Sequence, residues 1–202
     1  MKHNRLIILL VLLFIFNLDG NSQLKKATRL FQLYNYAEAI PYYEKVIESG
    51  DAADKKEGTQ RLADCYRLTN NIAQARFWYG TASLYPNSDP INYFYLGQAL
   101  RSLELYNLAA DAFQTFNSIC PDSLDVGNFY NYCTDIKPWL ELPEMAEIKN
   151  VEVLNTKYSD FGPAWYNNGI VFASDRRIDV LDNNVYGWTN VNYLDLYYSV
   201  PE

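Results

Sequence analysis

ATRLFQLYNYAEAIPYYEKVI (27–47), LADCYRLTNNIAQARFWYGTA (62–82) and LGQALRSLELYNLAADAFQTF (96–116) are three versions of one pattern. Each places a small residue in a first helical run (Ala27, Ala63, Gly97) and a large one three positions later (Leu30, Tyr66, Leu100). An alanine then stands at one fixed place in a second run (Ala39, Ala75, Ala109), with an aromatic four residues on (Tyr43, Tyr79, Phe113). Small residues suit the points where two helices touch, and large ones at i, i+3 and i+4 spacing fill the space around them. The pattern predicts a helix, a turn and a second helix, three times over. Asn35 and Glu38 are placed to form a capping box at the second helix of the first unit. Pro41 falls just inside that helix, where it forfeits a backbone bond and is expected to bend the first turns.

A helix–turn–helix unit recurring at about 34 residues resembles the tetratricopeptide repeat (TPR), and about three units are the least that make a stable stack. The third copy fits best, with Tyr93, Leu96, Gly97, Tyr106, Ala109, Phe113 and Pro121 on pattern. The resemblance spans residues 23–121, and 122–138, holding Phe129, Tyr130 and Tyr132, read as a capping helix. It implies a concave surface lined by the first helix of each unit, which gathers Phe31, Gln60, Asp64, Arg67, Phe94, Gln98 and Arg101. Arg67 and Arg101 hold equivalent places in successive units and are expected side by side. Two readings stay open for them. They receive carboxylates of a bound peptide, or they lie on a solvated face, paired with Asp64 and nearby acids.

Ahead of the repeats, Lys2, His3 and Arg5 precede an unbroken apolar run of 11 residues, Leu6 to Phe16. Gly20 and Ser22 then offer small residues for cleavage before Gln23, so 1–22 reads as a secretory signal peptide. At 1.5 Å per residue the run reaches about 16 Å, half of what a spanning helix needs. No other stretch is long and apolar enough to span a membrane. Export to an oxidising compartment raises the question of Cys65, Cys120 and Cys133. Cys120 and Cys133 flank a loop and either bridge or serve, like Cys65, as small hydrophobes.

Helices are expected to stop at 138, because Pro138 and Pro143 break the pattern, leaving 139–150 as a linker. Short β-type runs follow: Val151–Leu154, Pro163–Tyr166, Ile170–Ser174 and Tyr193–Val200, with a hairpin signal at Asn167–Asn168–Gly169. Phe161–Gly162–Pro163, Gly169–Phe172, Ser174–Asp175–Arg176 and Asp195–Leu196–Tyr197 resemble a blade of the WD-like β-propeller of bacterial envelope proteins. That resemblance implies four antiparallel strands, with Asp175 and Arg176 fixing turns by hydrogen bonds. Asp179, Asp182, Asn183 and Asn184 form an acidic loop that lacks the spacing and glutamate of an EF-hand and reads as solvated. One blade leaves its edges unpaired, so 151–202 is expected to be the first part of a longer propeller. The fold expected is α+β in separate domains: a tetratricopeptide-repeat α-solenoid, then an antiparallel β-propeller blade in an incomplete propeller.

Composition narrows function further. Seventeen Lys and Arg against 24 Asp and Glu give a net charge of −7, which disfavours nucleic acid and anionic lipid surfaces. The single histidine, His3, lies in the segment to be cleaved. The mature chain therefore cannot build a Ser-His-Asp triad, a Cys-His pair or an HExxH zinc site. It has no CxxC, GxxxxGK[ST] or GxGxxG motif, and no enzyme activity, metal or cofactor is expected. The order of signal, repeats and propeller resembles OmpA-family envelope proteins of Bacteroidota-type bacteria, with a PorE-like arrangement associated with type IX secretion. The resemblance implies a periplasmic, outer-membrane-associated scaffold with protein or peptide partners, and peptidoglycan held by a domain absent from this sequence. A propeller-bearing hydrolase front end and a SusD-like nutrient-binding protein are the competing readings.

Overall fold

Six fully buried side chains hold the repeats together: Ala39, Ala75 and Ala109, and four residues after each, Tyr43, Tyr79 and Phe113. The computed structural model describes residues 22–121, 126–142, 147–177 and 185–200. Residues 1–21 of the expected signal, residues 122–125 of the expected capping segment, and the Asp179, Asp182, Asn183, Asn184 loop lie outside the described residues. The chain divides into two compact units at Leu142–Pro143.

In the first unit, α1 covers residues 22–32. Next come α2 (Tyr36–Ser49), α3 (Ala52–Leu68), α4 (Ile72–Ser83), α5 (Ile91–Ser102) and α6 (Tyr106–Ile119). Short helices α7 (Gly127–Thr134) and α8 (Lys137–Leu140) follow. From α2 to α7 each helix packs on its neighbour in the chain, as in a solenoid. Gly97 shows how close the approach is. A Cβ there would lie 2.7 Å from the Phe113 ring. The aromatics of the third repeat and of α7 form one cluster, Phe94 in ring contact with Phe113, Phe116 and Phe129, and Phe113 with Phe129, at 5.5–5.9 Å. Each such ring taken from water contributes about 2–3 kcal/mol.

The turn inside each unit is the same turn. Tyr34, Asn70 and Glu104 have φ of 62°, 60° and 61°. The following amides, of Asn35, Asn71 and Leu105, donate back to Leu30, Tyr66 and Leu100 carbonyls at 2.8–2.9 Å. This is the 6→1 bond that closes a helix C-terminus through a left-handed residue.

Two local expectations are corrected and one open alternative is closed. Asn35 makes no side-chain cap. Its ψ of 61° stops short of the extended backbone that brings an N-cap oxygen over the N3 amide, whereas Asn71, at ψ 78°, reaches Gln74 N–H at 3.3 Å. Pro41 is exposed and lies inside α2, as expected, where it has no N–H to give the helix. Helices also do not stop at 138: α8 extends to Leu140, with Pro138 in its first turn, where a missing N–H breaks nothing. No disulfide joins Cys120 to Cys133. Cys65 and Cys133 are both buried, Cys133 within the apolar cluster of the third repeat, and burial pushes the Cys65 thiol up to about 12.

The second unit holds β1 (Asp160–Tyr166), β2 (Gly169–Ser174), β3 (Val185–Tyr186), β4 (Val191–Asn192) and β5 (Asp195–Ser199). β2 lies between β1 and β5 in a three-stranded antiparallel sheet, and β3 pairs with β4 separately. The β1–β2 hairpin turns at Asn167–Asn168, with Tyr166 opposite Gly169 and Asn167 at φ 49°. Between Phe161 and Ala164 the register shifts, and Gly162 there has φ 65°. The expected strand Val151–Leu154 is a turn. Leu154 and Asn155 amides both donate to Val151 O at 2.9 Å, and the Leu154 carbonyl is taken by Arg176 at 2.8 Å. The Val151 and Leu154 carbonyls and the Leu154 amide are thus engaged here and not in a ladder.

Asp175 and Arg176 fix the approach to the sheet. Asp175 accepts from Ser159 N–H at 2.7 Å and from its hydroxyl at 3.2 Å. Arg176 donates to Ser174 Oγ at 3.0 Å and pairs with Asp160. Arg176 holds the Asp160 carboxyl well below the usual carboxylate range, helped by the hydroxyls of Ser174 and Thr156.

Candidate functional site

Helices α1, α3 and α5 carry the residues expected on the concave face, and an arginine on an aromatic ring joins each of α1, α3, α5 and α7 to the next. Arg61 of α3 lies over the Phe31 ring of α1 at 5.1 Å. Arg67 of α3 lies over Tyr95 of α5 at 4.1 Å, and Arg101 of α5 over Phe129 of α7 at 5.3 Å. A guanidinium stacked this way packs as a flat surface and keeps its N–H edge for other partners.

Arg67 and Arg101 use that edge differently. Arg67 Nε donates to the Tyr79 hydroxyl at 2.9 Å, which in turn donates to Asp64 Oδ1 at 2.6 Å. Asp64 is 8% exposed and also faces Arg61 at 3.4 Å and Arg67 at 3.7 Å. Burial, then the charge of Asp64, raises the Tyr79 pKa far above its ordinary value, so the hydroxyl stays a donor. Asp64, Arg67 and Tyr79 are therefore a closed structural network between α3 and α4. Arg101 has no carboxylate partner among the described residues. It lines a cleft of about 400 Å³ with Tyr106, Tyr132, Asp135, Ile136 and Trp139.

Of the other expected groove residues, Phe31 and Gln60 are half-buried on α1 and α3, and Gln98 is half-buried on α5. Phe94 is 8% exposed and belongs to the core cluster. Arg67 and Arg101 hold equivalent places, yet they rest on different rings. Sequence reasoning missed the rings under the arginines, Tyr95 and Phe129, and the exposed Tyr132 and Trp139 beside Arg101. The signal for the last two was their position, large aromatics in a segment read only as a cap and a linker. Among the described residues no cluster of His, Cys, Asp or Glu is placed to hold a metal, and no helix is long and apolar enough to cross a membrane.

No family model and no curated protein matches the chain. Among solved structures, it is similar to the first TPR of Spaghetti (RPAP3), bound to the HSP90 peptide SRMEEVD. That likeness has a TM-score of 0.52 at 17% identity and covers 60% of this chain and 95% of that one. It is similar too to the C-terminal TPR-containing domain of a Plasmodium falciparum putative FK506-binding protein. Here the TM-score is 0.51 at 18% identity, over 60% of this chain and 90% of that one. At such identities the likeness is one of fold: the first unit is a TPR-like helical solenoid.

Proposed function

We propose that this chain is a non-catalytic, exported scaffold of the bacterial cell envelope whose solenoid holds a peptide segment with an acidic group at Arg101. The observation that carries the reading is the contrast between the two equivalent arginines. Arg67 is held by Asp64 and Tyr79, whereas Arg101, without a carboxylate partner among the described residues, lines a cleft with Tyr132 and Trp139. A carboxylate seated there gains a charge-assisted pair, and an adjacent apolar side chain gains the aromatic walls. The likeness to a solenoid seen with the peptide SRMEEVD supports a peptide as the occupant. Export is supported by the basic start, apolar run and small cleavage residues of 1–22. The periplasm, the outer membrane and a link to type IX secretion or peptidoglycan are supported by the resemblance in domain order.

Fluorescence anisotropy with labelled SRMEEVD and its neutral counterpart SRMQQVN tests the groove. Wild type is expected to prefer the acidic peptide, and Arg101→Glu, checked for fold by circular dichroism, is expected to lose that preference. Equal binding of both peptides, or a preference that survives Arg101→Glu, sinks the proposal. Export is tested separately by expressing the chain in a bacterial host and sequencing the N-terminus of the periplasmic product, which should begin at Gln23.

A further inference from the structure

The three repeats are internal controls for one another, and the outer face of α4 departs from its sisters. In the repeat register Phe77, Gly80 and Leu84 correspond to Pro41, Glu44 and Glu48 in the first unit and to Asp111, Gln114 and Ser118 in the third. Where the sisters carry mostly polar or charged side chains, α4 carries an aromatic, a glycine and a leucine. Phe77 is 58% and Leu84 83% exposed. Across from them on α6 stands Leu108, 51% exposed, where the other units carry Glu38 and Gln74. The two departures face one groove of about 480 Å³, with Leu96 and Leu100 of α5 in its lining.

Gly80 is a second, independent sign. A Cβ there would meet only Leu96 Cδ1, at 4.0 Å, so helix packing does not require glycine. Glycine inside a helix is unfavourable relative to alanine, and here its effect is to keep the groove open.

We infer that this groove between α4 and α6 binds an amphipathic helix of a partner protein, at a site separate from the Arg101 cleft. A helix fits because the lining between Arg76 and Asp111 is mainly apolar and offers few partners to an unpaired backbone. The Thr81 and Thr115 hydroxyls donate to carbonyls of their own helices, at 3.0 and 2.8 Å. An occupant must therefore satisfy its own N–H and C=O groups. The wall from Arg76 to Leu84 rises about 12 Å, two turns, enough for apolar anchors at i, i+4 and i+7. Arg76 on α4 and Asp111 on α6 have no ion-pair partner among the described residues. They select a helix with an acidic edge beside α4 and a basic edge beside α6.

The probe is a labelled, stapled helical peptide of about 14 residues, long enough to hold a helix. It carries Leu at i, i+4 and i+7, Glu along one edge and Lys along the other, and is compared with a scrambled peptide of the same composition. Wild type is expected to bind the patterned peptide at least about tenfold more tightly. Gly80→Gln and Leu84→Glu, which install residue types the sister helices already carry at these places, should each erase about that factor with the fold unchanged. Arg101→Glu should bind as wild type does. Equal binding of patterned and scrambled peptides, indifference to both groove variants, or loss in Arg101→Glu overturns the assignment. So does a Leu84-dependent dimer in sedimentation that the peptide fails to compete away, because the occupant is then a second copy of this chain.

Discussion

Two glycines in helices show how one residue type has opposite reasons in one fold. At Gly97 an alanine would place its Cβ 2.7–2.9 Å from three atoms of the Phe113 ring, itself fully buried and held by Phe94 and Phe129. Overpacking of this kind costs about 1–3 kcal/mol, more than the roughly 1 kcal/mol that alanine returns as a helix former. Gly97→Ala should therefore lower the urea midpoint, read by far-UV circular dichroism. Gly80→Ala meets open space and should raise stability by about 1 kcal/mol. A rise in Gly97→Ala would show that Phe113 yields easily and that the close approach is not what holds the third repeat. Tyr79 is a third case. Its hydroxyl supplies Asp64 with a 2.6 Å bond and accepts from Arg67. Tyr79→Phe keeps the ring and removes both bonds, leaving a buried carboxylate short of a donor, at a cost of about 1–3 kcal/mol. A variant as stable as wild type would place Asp64 in contact with water.

Elements were legible in proportion to how locally they are determined. The helices of the repeats announce themselves through Ala39, Ala75 and Ala109 and the aromatics after them, because i to i+4 contacts and pair packing repeat with the chain. Their turns were less visible, since the left-handed residue falls on Tyr34 and Glu104 as well as on Asn70, and only asparagine is a type that favours it. The β1–β2 hairpin could be read because Asn167 and Gly169 specify the turn. Val151–Leu154 misled because alternation shows that a segment suits a strand, whereas a strand also needs a distant partner, and here Arg176 claims a carbonyl instead. The Asp160–Arg176 pair that anchors the start of β1 also makes a pH prediction. A carboxyl held below its ordinary range stabilises the fold fully above the unfolded value, about 3.9, and the benefit is lost as pH falls below it. The carbon-13 carboxyl resonance of Asp160 should titrate well below 3.9, and in Arg176→Ala its midpoint should move up toward that value. Amide protection in β2 should weaken over the same acid range. An Asp160 midpoint at the ordinary value would dissolve the pair.

At the scale of the whole solenoid, the face that carries the stacked arginines and the core are one construction. Phe129 of α7 is both a member of the Phe94–Phe113 cluster and the ring on which Arg101 rests. The site was legible in the sequence as far as the equivalence of Arg67 and Arg101, which the repeat register supplies. What separates them was not, because it depends on Tyr79 and Asp64 meeting across α3 and α4, and on Tyr132 and Trp139 lining a cleft with Arg101. Helix contacts run between chain neighbours, so a change in α7 should be felt in α6 and α5 and fade toward α2. Phe129→Ala in the full chain removes a half-buried ring, at about 2–3 kcal/mol, and leaves Arg101 without its seat. Hydrogen exchange should quicken in α5, α6 and α7 while α2 and α3 exchange close to the wild-type rate. The preference for SRMEEVD over SRMQQVN should fall in the same variant, although Arg101 itself is intact, because its guanidinium is no longer held in place. Uniform loss of protection from α2 to α7 would mean that the stack unfolds as a single cooperative block. Unchanged peptide preference would mean that Arg101 does not need the ring, and that the coupling of core to site runs through another contact.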